Sequence, residues 1–388
     1  MIVEDWQRSC LCERIPVSIS IQIWRRRFAR ASLRRGRLAV ACVSLLLMAR
    51  PVAAQEAHDQ HDAPEAGSQA PFAATVHGFG DISFQRREDG STQFALGQLD
   101  GFVTATIGEH VNVLTEVVVE ADDSNAFGVD VERLLIQFVI NDYLRVAAGR
   151  YHTALGYYNT AYHHGLWFQT ATSRPLLMAF EDAGGLLPTH QVGVSATGQI
   201  PLRDVGLHWV AEVGNGRPRA NTEPVLNVRD PDRHKAVNVG LISRPGSWTG
   251  AQFGVSYFHD RFDFTPDHPI GENILSVHAV FDRPAFQWLN EFARIHDSDD
   301  FGLDATTTAW YSQIGKRAGL VTPFARFQYT NAPPHDPVYA DIGFRRVTSF
   351  GVRYDVEPHA ALKFQYDYDV RARGEHLHAL TGQVAFVF

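Results

Sequence analysis

From Thr75 to Phe388 the chain repeats one device, a stretch of roughly ten residues in which apolar and polar side chains alternate before a turn. Residues 361–371 show it most plainly. Leu362, Phe364, Tyr366, Tyr368 and Val370 fall on one face; Lys363, Gln365, Asp367, Asp369 and Arg371 fall on the other. Successive strand side chains point to opposite sides, so a period of two predicts a strand with one greasy and one wet face. The same faces recur at Leu134/Ile136/Phe138/Ile140, Phe253/Val255/Tyr257, Leu275/Val277/Ala279/Phe281 and Phe350/Val352/Tyr354. Residues 285–296 alternate poorly. The last stretch carries Leu380, Gly382, Val384, Phe386 and Phe388 on one face, with Thr381 and Gln383 on the other.

Counting such stretches from 75–85 to 376–388 gives about sixteen strands, an even number. Every second connection is short, as at Gly108-Glu109, Asn141-Asp142, Arg283-Pro284 and Glu357-Pro358. Most of the alternate ones are longer: 121–127, 151–189, 214–232, 260–270 and 331–340. A β-sandwich has no reason to sort its loops by parity, whereas a membrane barrel with short turns on one side does. No segment after the first 54 residues approaches the 18 uncharged apolar residues of a spanning helix, a test that strands escape. The expected fold class is all-β: a transmembrane antiparallel β-barrel of about sixteen strands, with its third external loop folded into the lumen.

Three regions follow from composition. Residues 1–54 hold a basic stretch from Arg25 to Arg37, an apolar run from Leu38 to Ala49 and the small-residue site Pro51-Val52-Ala53-Ala54, the order of a cleaved secretory signal. Residues 55–72 form an acidic, His-containing tail expected to lack structure, and 73–388 form the barrel. Of 35 Lys+Arg and 43 Asp+Glu, ten and three lie in residues 1–54, leaving 25 basic against 40 acidic and a formal charge of −15. Lys235, Lys316 and Lys363 are the only lysines. That balance argues against nucleic acid as a partner. All three cysteines (Cys10, Cys12, Cys42) lie in the leader, so no disulfide framework is expected beyond it.

The closing stretch, ending on Phe388, resembles the assembly signal of Gram-negative outer-membrane barrels. Gly149-Arg150-Tyr151-His152-Thr153-Ala154-Leu155-Gly156-Tyr157-Tyr158, with the residues to about 195, resembles the phosphate-selective porin O/P type. The resemblance implies a passive channel in the outer membrane, commonly trimeric, with lipid and the barrel-assembly machinery as partners and no cofactor. Members that select phosphate carry many lysines and arginines along the route. Three lysines and a charge of −15 depart from that, and a negative lumen would favour cations.

Candidate constriction residues are Arg150, His152, His163, His164, Arg174, Glu181 and Asp182. Either they oppose one another across a pore and select by charge, or they bond a long loop to itself and the wall. Alternation assigns Glu116, Glu120, Arg133, Arg145, Arg326, Arg353, Lys363, Asp367, Asp369 and Arg371 to the lumen lining, with Gln137 and Gln328. Eighteen histidines, among them the pairs His58/His61, His163/His164 and His376/His378, raise an alternative, capture of a divalent metal such as zinc. Their spacing forms no closed ligand set, so no metal residue is assigned. No Gly-x-Ser-x-Gly elbow or phosphate loop is present, and catalysis is not expected.

Overall fold

The computed structural model describes residues 72–88, 90–121, 125–162, 165–179, 185–202, 204–217, 228–229, 234–265 and 268–388. The expected leader and nearly all of the expected tail lie outside them.

Sixteen strands form one closed antiparallel barrel, each paired with its neighbours in sequence and the first with the last. They are β1 (Phe72–Arg87), β2 (Thr92–Ile107), β3 (Val111–Ala121), β4 (Phe127–Asn141), β5 (Leu144–His152), β6 (His190–Ile200), β7 (Leu207–Gly214) and β8 (Ala236–Ser243). The second half comprises β9 (Ala251–Thr265), β10 (His268–Arg283), β11 (Phe286–Ser298), β12 (Asp304–Lys316), β13 (Val321–Asn331), β14 (Phe344–Glu357), β15 (Ala360–Arg371) and β16 (His376–Val387). Closure leaves no strand edge unpaired, the condition for strands to stand in lipid.

Burial alternates as the sequence alternates. On β11, Gln287, Leu289, Glu291, Ala293, Ile295 and Asp297 are buried, whereas Trp288 and Phe292 are exposed. Leu134, Phe138, Val255, Tyr257, Leu275, Val277, Phe350, Phe364, Leu380 and Val384 are likewise exposed, giving an apolar outer belt. Aromatic rings cluster on that outer surface, including the edge-on pair Tyr329–Phe344 and the stacked pair Phe281–Trp288. His376 and His378 belong to this surface. The Tyr368 ring stacks on His376 at 5.6 Å, and the Tyr366 hydroxyl lies 2.5 Å from His378 Nδ1.

One expected loop is strand instead. Residues 260–265 belong to β9 and 268–270 to β10. Asp260 and Arg261 read as loop residues by polarity, yet Asp260 keeps the inward parity of Phe258 and Phe262 while Arg261 keeps the outward parity of Tyr257. Beyond the apolar belt, an alternating strand has no need of outward hydrophobes.

Candidate functional site

The connection between β5 and β6 is the longest described in part on either rim, and its backbone is caught by inward-facing side chains. A buried chain without regular structure must find partners for each N–H and C=O. Glu212 of β7 accepts the Ala154 N–H at 3.0 Å, and Ser256 Oγ of β9 donates to the Ala154 carbonyl at 3.1 Å. Glu291 of β11 accepts the N–H groups of Tyr157 (2.6 Å) and Tyr158 (2.9 Å), and also the Tyr311 hydroxyl (2.6 Å). Gln365 of β15 accepts the Thr172 N–H at 3.0 Å, and Gln328 of β13 the Leu176 N–H at 2.7 Å.

Three cations hold carbonyls of the same connection. Arg326 donates to the Ser173 carbonyl and to Ser173 Oγ, each at 2.8 Å. Arg353 donates to the carbonyls of Trp167 and Gln169, the latter at 3.0 Å. Lys363 donates to the carbonyls of Leu166 and Ala171, the latter at 3.2 Å, and forms no ion pair among the described residues.

Apolar contacts complete the seat. Leu155, Tyr158, Leu177, Met178, Leu186 and Leu187 pack with Phe258, Ile274, Val280, Leu289, Ala293, Ile295 and Tyr311 into one buried cluster. A buried leucine or methionine contributes about 1.5–3 kcal/mol relative to exposure. This explains the weak alternation of 285–296: inward Leu289, Ala293 and Ile295 face a dry interior. Burial also raises the phenol pKa values of Tyr157, Tyr158 and Tyr162, keeping these rings neutral.

Of the candidate constriction residues, Arg150 and His152 lie in β5 itself. Arg150 stands opposite Leu134 and Val192, and His152 opposite His190. They share the outward parity of exposed Leu134 and Val194, not the inward parity of Tyr151. Their company is Glu132, which lies 3.5 Å from Arg150 Nη2 and 2.7 Å from His190 Nε2. Gly149 precedes them with φ 133°, and a Cβ there would strike the Leu134 carbonyl, so the close approach requires glycine. Arg174 is buried in the connection. His163, His164, Glu181 and Asp182 lie outside the described residues.

The candidate lining residues divide by partner. Arg326, Arg353 and Lys363 grip the β5–β6 connection as above. Glu116 accepts from Arg133 Nε at 2.5 Å, and Glu120 from Gln98 Nε2 at 2.8 Å. Asp369 bridges Arg345 (2.7 Å) and Arg371 (3.1 Å), and Asp367 accepts from Ser349 Oγ at 2.5 Å. Arg145 shares the inward parity of buried Ala147. Sequence reasoning missed Glu291 and Glu212. The available signal was a lone acid on an inward position of a strand whose neighbours are apolar. Among the described residues no group of three or more His, Cys, Asp or Glu is placed to hold a metal ion.

No protein-family profile and no curated protein matches this chain by sequence. Solved structures match its fold. An anion-selective porin from Comamonas acidovorans is similar at a TM-score of 0.61 and 10% identity, over 82% of this chain and 100% of that one. The outer membrane channel DcaP of Acinetobacter baumannii gives 0.56 and 9%, over 83% and 99%. OmpT, an outer membrane protein of Vibrio cholerae in its trimer form, gives 0.57 and 11%, over 82% and 99%. At such identities the likeness is one of fold, a sixteen-stranded porin barrel. It does not single out the phosphate-selective O/P type.

Proposed function

We propose that this chain is an outer-membrane porin, a passive diffusion channel for small hydrophilic solutes or ions. The observation that carries the reading is a closed barrel with an apolar outer belt, whose inward polar side chains and one apolar cluster seat a long connection inside it. In this reading residues 151–189 narrow the lumen, and the wall charges around them set selectivity. His152 has outward parity, and the reading rests on Arg174, on His163, His164, Glu181 and Asp182 as candidates from the sequence, and on the wall residues that grip the connection. Residues 1–54 act as a cleaved leader, 55–72 as a polar tail, and the short turns face the periplasm. Assembly runs through the terminal strand, and three copies associate through outward apolar faces. The chemistry required is binding and exclusion, with no bond made or broken.

Single-channel recording of the refolded mature protein in planar bilayers tests this. Stable conductance steps are expected without any added ligand, and their absence from protein shown to be folded and inserted would overturn the reading. Deleting residues 156–184 should raise the step size; an unchanged step would place the narrowing elsewhere.

A further inference from the structure

The outward side chains of β9 to β12 form rungs, because directly paired residues of antiparallel neighbours share a face. Val255, Val277, Phe292 and Trp310 stand side by side and are all exposed, an unbroken apolar rung. The next rung toward the long connections is Tyr257, Leu275, Arg294 and Thr308. Above it come His259, Asn273, His296 and Thr306, and then Arg261, Gly271, Ser298 and Asp304. The Tyr257 hydroxyl donates to Asn273 Oδ1 at 2.6 Å, and His259 Nδ1 lies 3.0 Å from the same oxygen. His296 Nδ1 lies 3.4 Å from Thr306 Oγ1. On this face hydrocarbon thus gives way to polar head groups at the rungs of Arg294 and His296.

Arg294 is the first charge above the apolar rung. It is exposed and forms no hydrogen bond or ion pair among the described residues. An arginine so placed runs its stem along apolar neighbours and carries its guanidinium to the polar level. The acids of this face stand further out. Asp304 belongs to the last rung, 3.8 Å from His296 Nδ1, and Asp300, in the turn after β11, lies 3.7 Å from Arg261 Nη2. The rung of His259 and His296 continues onto β8 and β7 as Val237 and Val213, both exposed. The cation and its imidazoles therefore mark one part of the circumference, and height alone does not account for them.

We propose that this face binds a phosphorylated glycolipid of the outer leaflet, with Arg294 holding a phosphate and His296, His259 and Thr308 bonding around it. A guanidinium free of any acid is complementary to an anion at its own depth, and its planar fork takes two phosphate oxygens at once. Just outside the hydrocarbon of an outer membrane, the anions at that depth are the phosphates of the leaflet's glycolipid. The proposal goes beyond conduction and rests on the orientation given above, with the short turns in the periplasm.

Native mass spectrometry of the refolded mature protein tests this, with bis-phosphoryl lipid A, its dephosphorylated form and phosphatidylglycerol as probes in one detergent. The wild type should retain bis-phosphoryl lipid A in preference to the other two. Arg294→Gln should weaken that retention about fivefold, the share of one cation at an anionic lipid surface. Arg294→Lys should keep most of it, and Arg261→Gln, whose guanidinium already faces Asp300, should leave it unchanged. A heat-modifiable band checks that each variant is folded. Equal retention of the two lipid A forms, or full retention by folded Arg294→Gln, would overturn the proposal. Arg294-dependent preference for phosphatidylglycerol would reject the glycolipid as occupant and set the barrel the other way round. Conductance plays no part in the readout, so silence in planar bilayers counts against the pore and leaves the lipid site to be judged by mass.

Discussion

Gly78 and Phe388 exchange both of their backbone hydrogen bonds, Gly78 N–H to the Phe388 carbonyl at 2.8 Å and Phe388 N–H to the Gly78 carbonyl at 2.9 Å. The aromatic ring of Phe388 occupies the space where a side chain on residue 78 would begin, and Phe386 does the same over Gly80. The seam between β1 and β16 is thus a pair of rings laid over a pair of glycines.

Gly78→Val should therefore displace the Phe388 ring and weaken closure by about 1–3 kcal/mol, the usual cost of overpacking. Less heat-modifiable, folded protein in the membrane fraction is expected. Normal amounts would show that the ring is dispensable to closure. Phe388→Ser should lower assembled protein too, through loss of the ring itself.

Glu291 satisfies three donors, so its loss reaches the β5–β6 connection directly. Each buried donor left unpaired costs about 1–3 kcal/mol. Glu291→Ala should give noisy, flickering current, with Glu291→Gln intermediate because one acceptor oxygen remains. Quiet steps from the alanine variant would show that the connection is held without it.

Lys363 puts a buried positive charge against loop carbonyls, without an ion-pair partner among the described residues. Lys363→Met should move the reversal potential in a salt gradient toward cation preference. An unmoved potential would place Lys363 away from the conducting path.

Mass spectrometry of protein recovered from the outer membrane should find a chain starting at Gln55, after cleavage beyond Ala54. Recovery of the full-length chain would refute cleavage there.

Most of the strands were legible in the alternation because lipid demands apolar side chains at every second position of a spanning strand, whatever the interior holds; β11 was the weakest of them and the outer ends of β9 and β10 read as loop. Interior packing was less legible. The inward positions of β11 alternate Leu289, Glu291, Ala293, Ile295 and Asp297, mixing core and polar roles, so their purpose emerges only once the facing connection is known. Arg150 and His152 looked like loop residues beside an aromatic run. Their outward parity follows from alternation within β5, where they interleave with Arg145, Ala147 and Tyr151, once the strand is known to run on to His152. Arg217, Glu272 and Tyr339 bond to one another from places far apart in the chain, which alternation cannot connect.

The apolar cluster between the β5–β6 connection and strands β9 to β12 also implies an order of events. The connection is made early, while the surfaces it rests on come later in the chain. It has no seat until those strands have been threaded into the wall, and joining such distant segments is slow. On the porin reading, a barrel under construction would be at its widest before it is finished. Sealing the seam and furnishing the interior are separate tasks, and the cell would need to protect the interval between them from leakage.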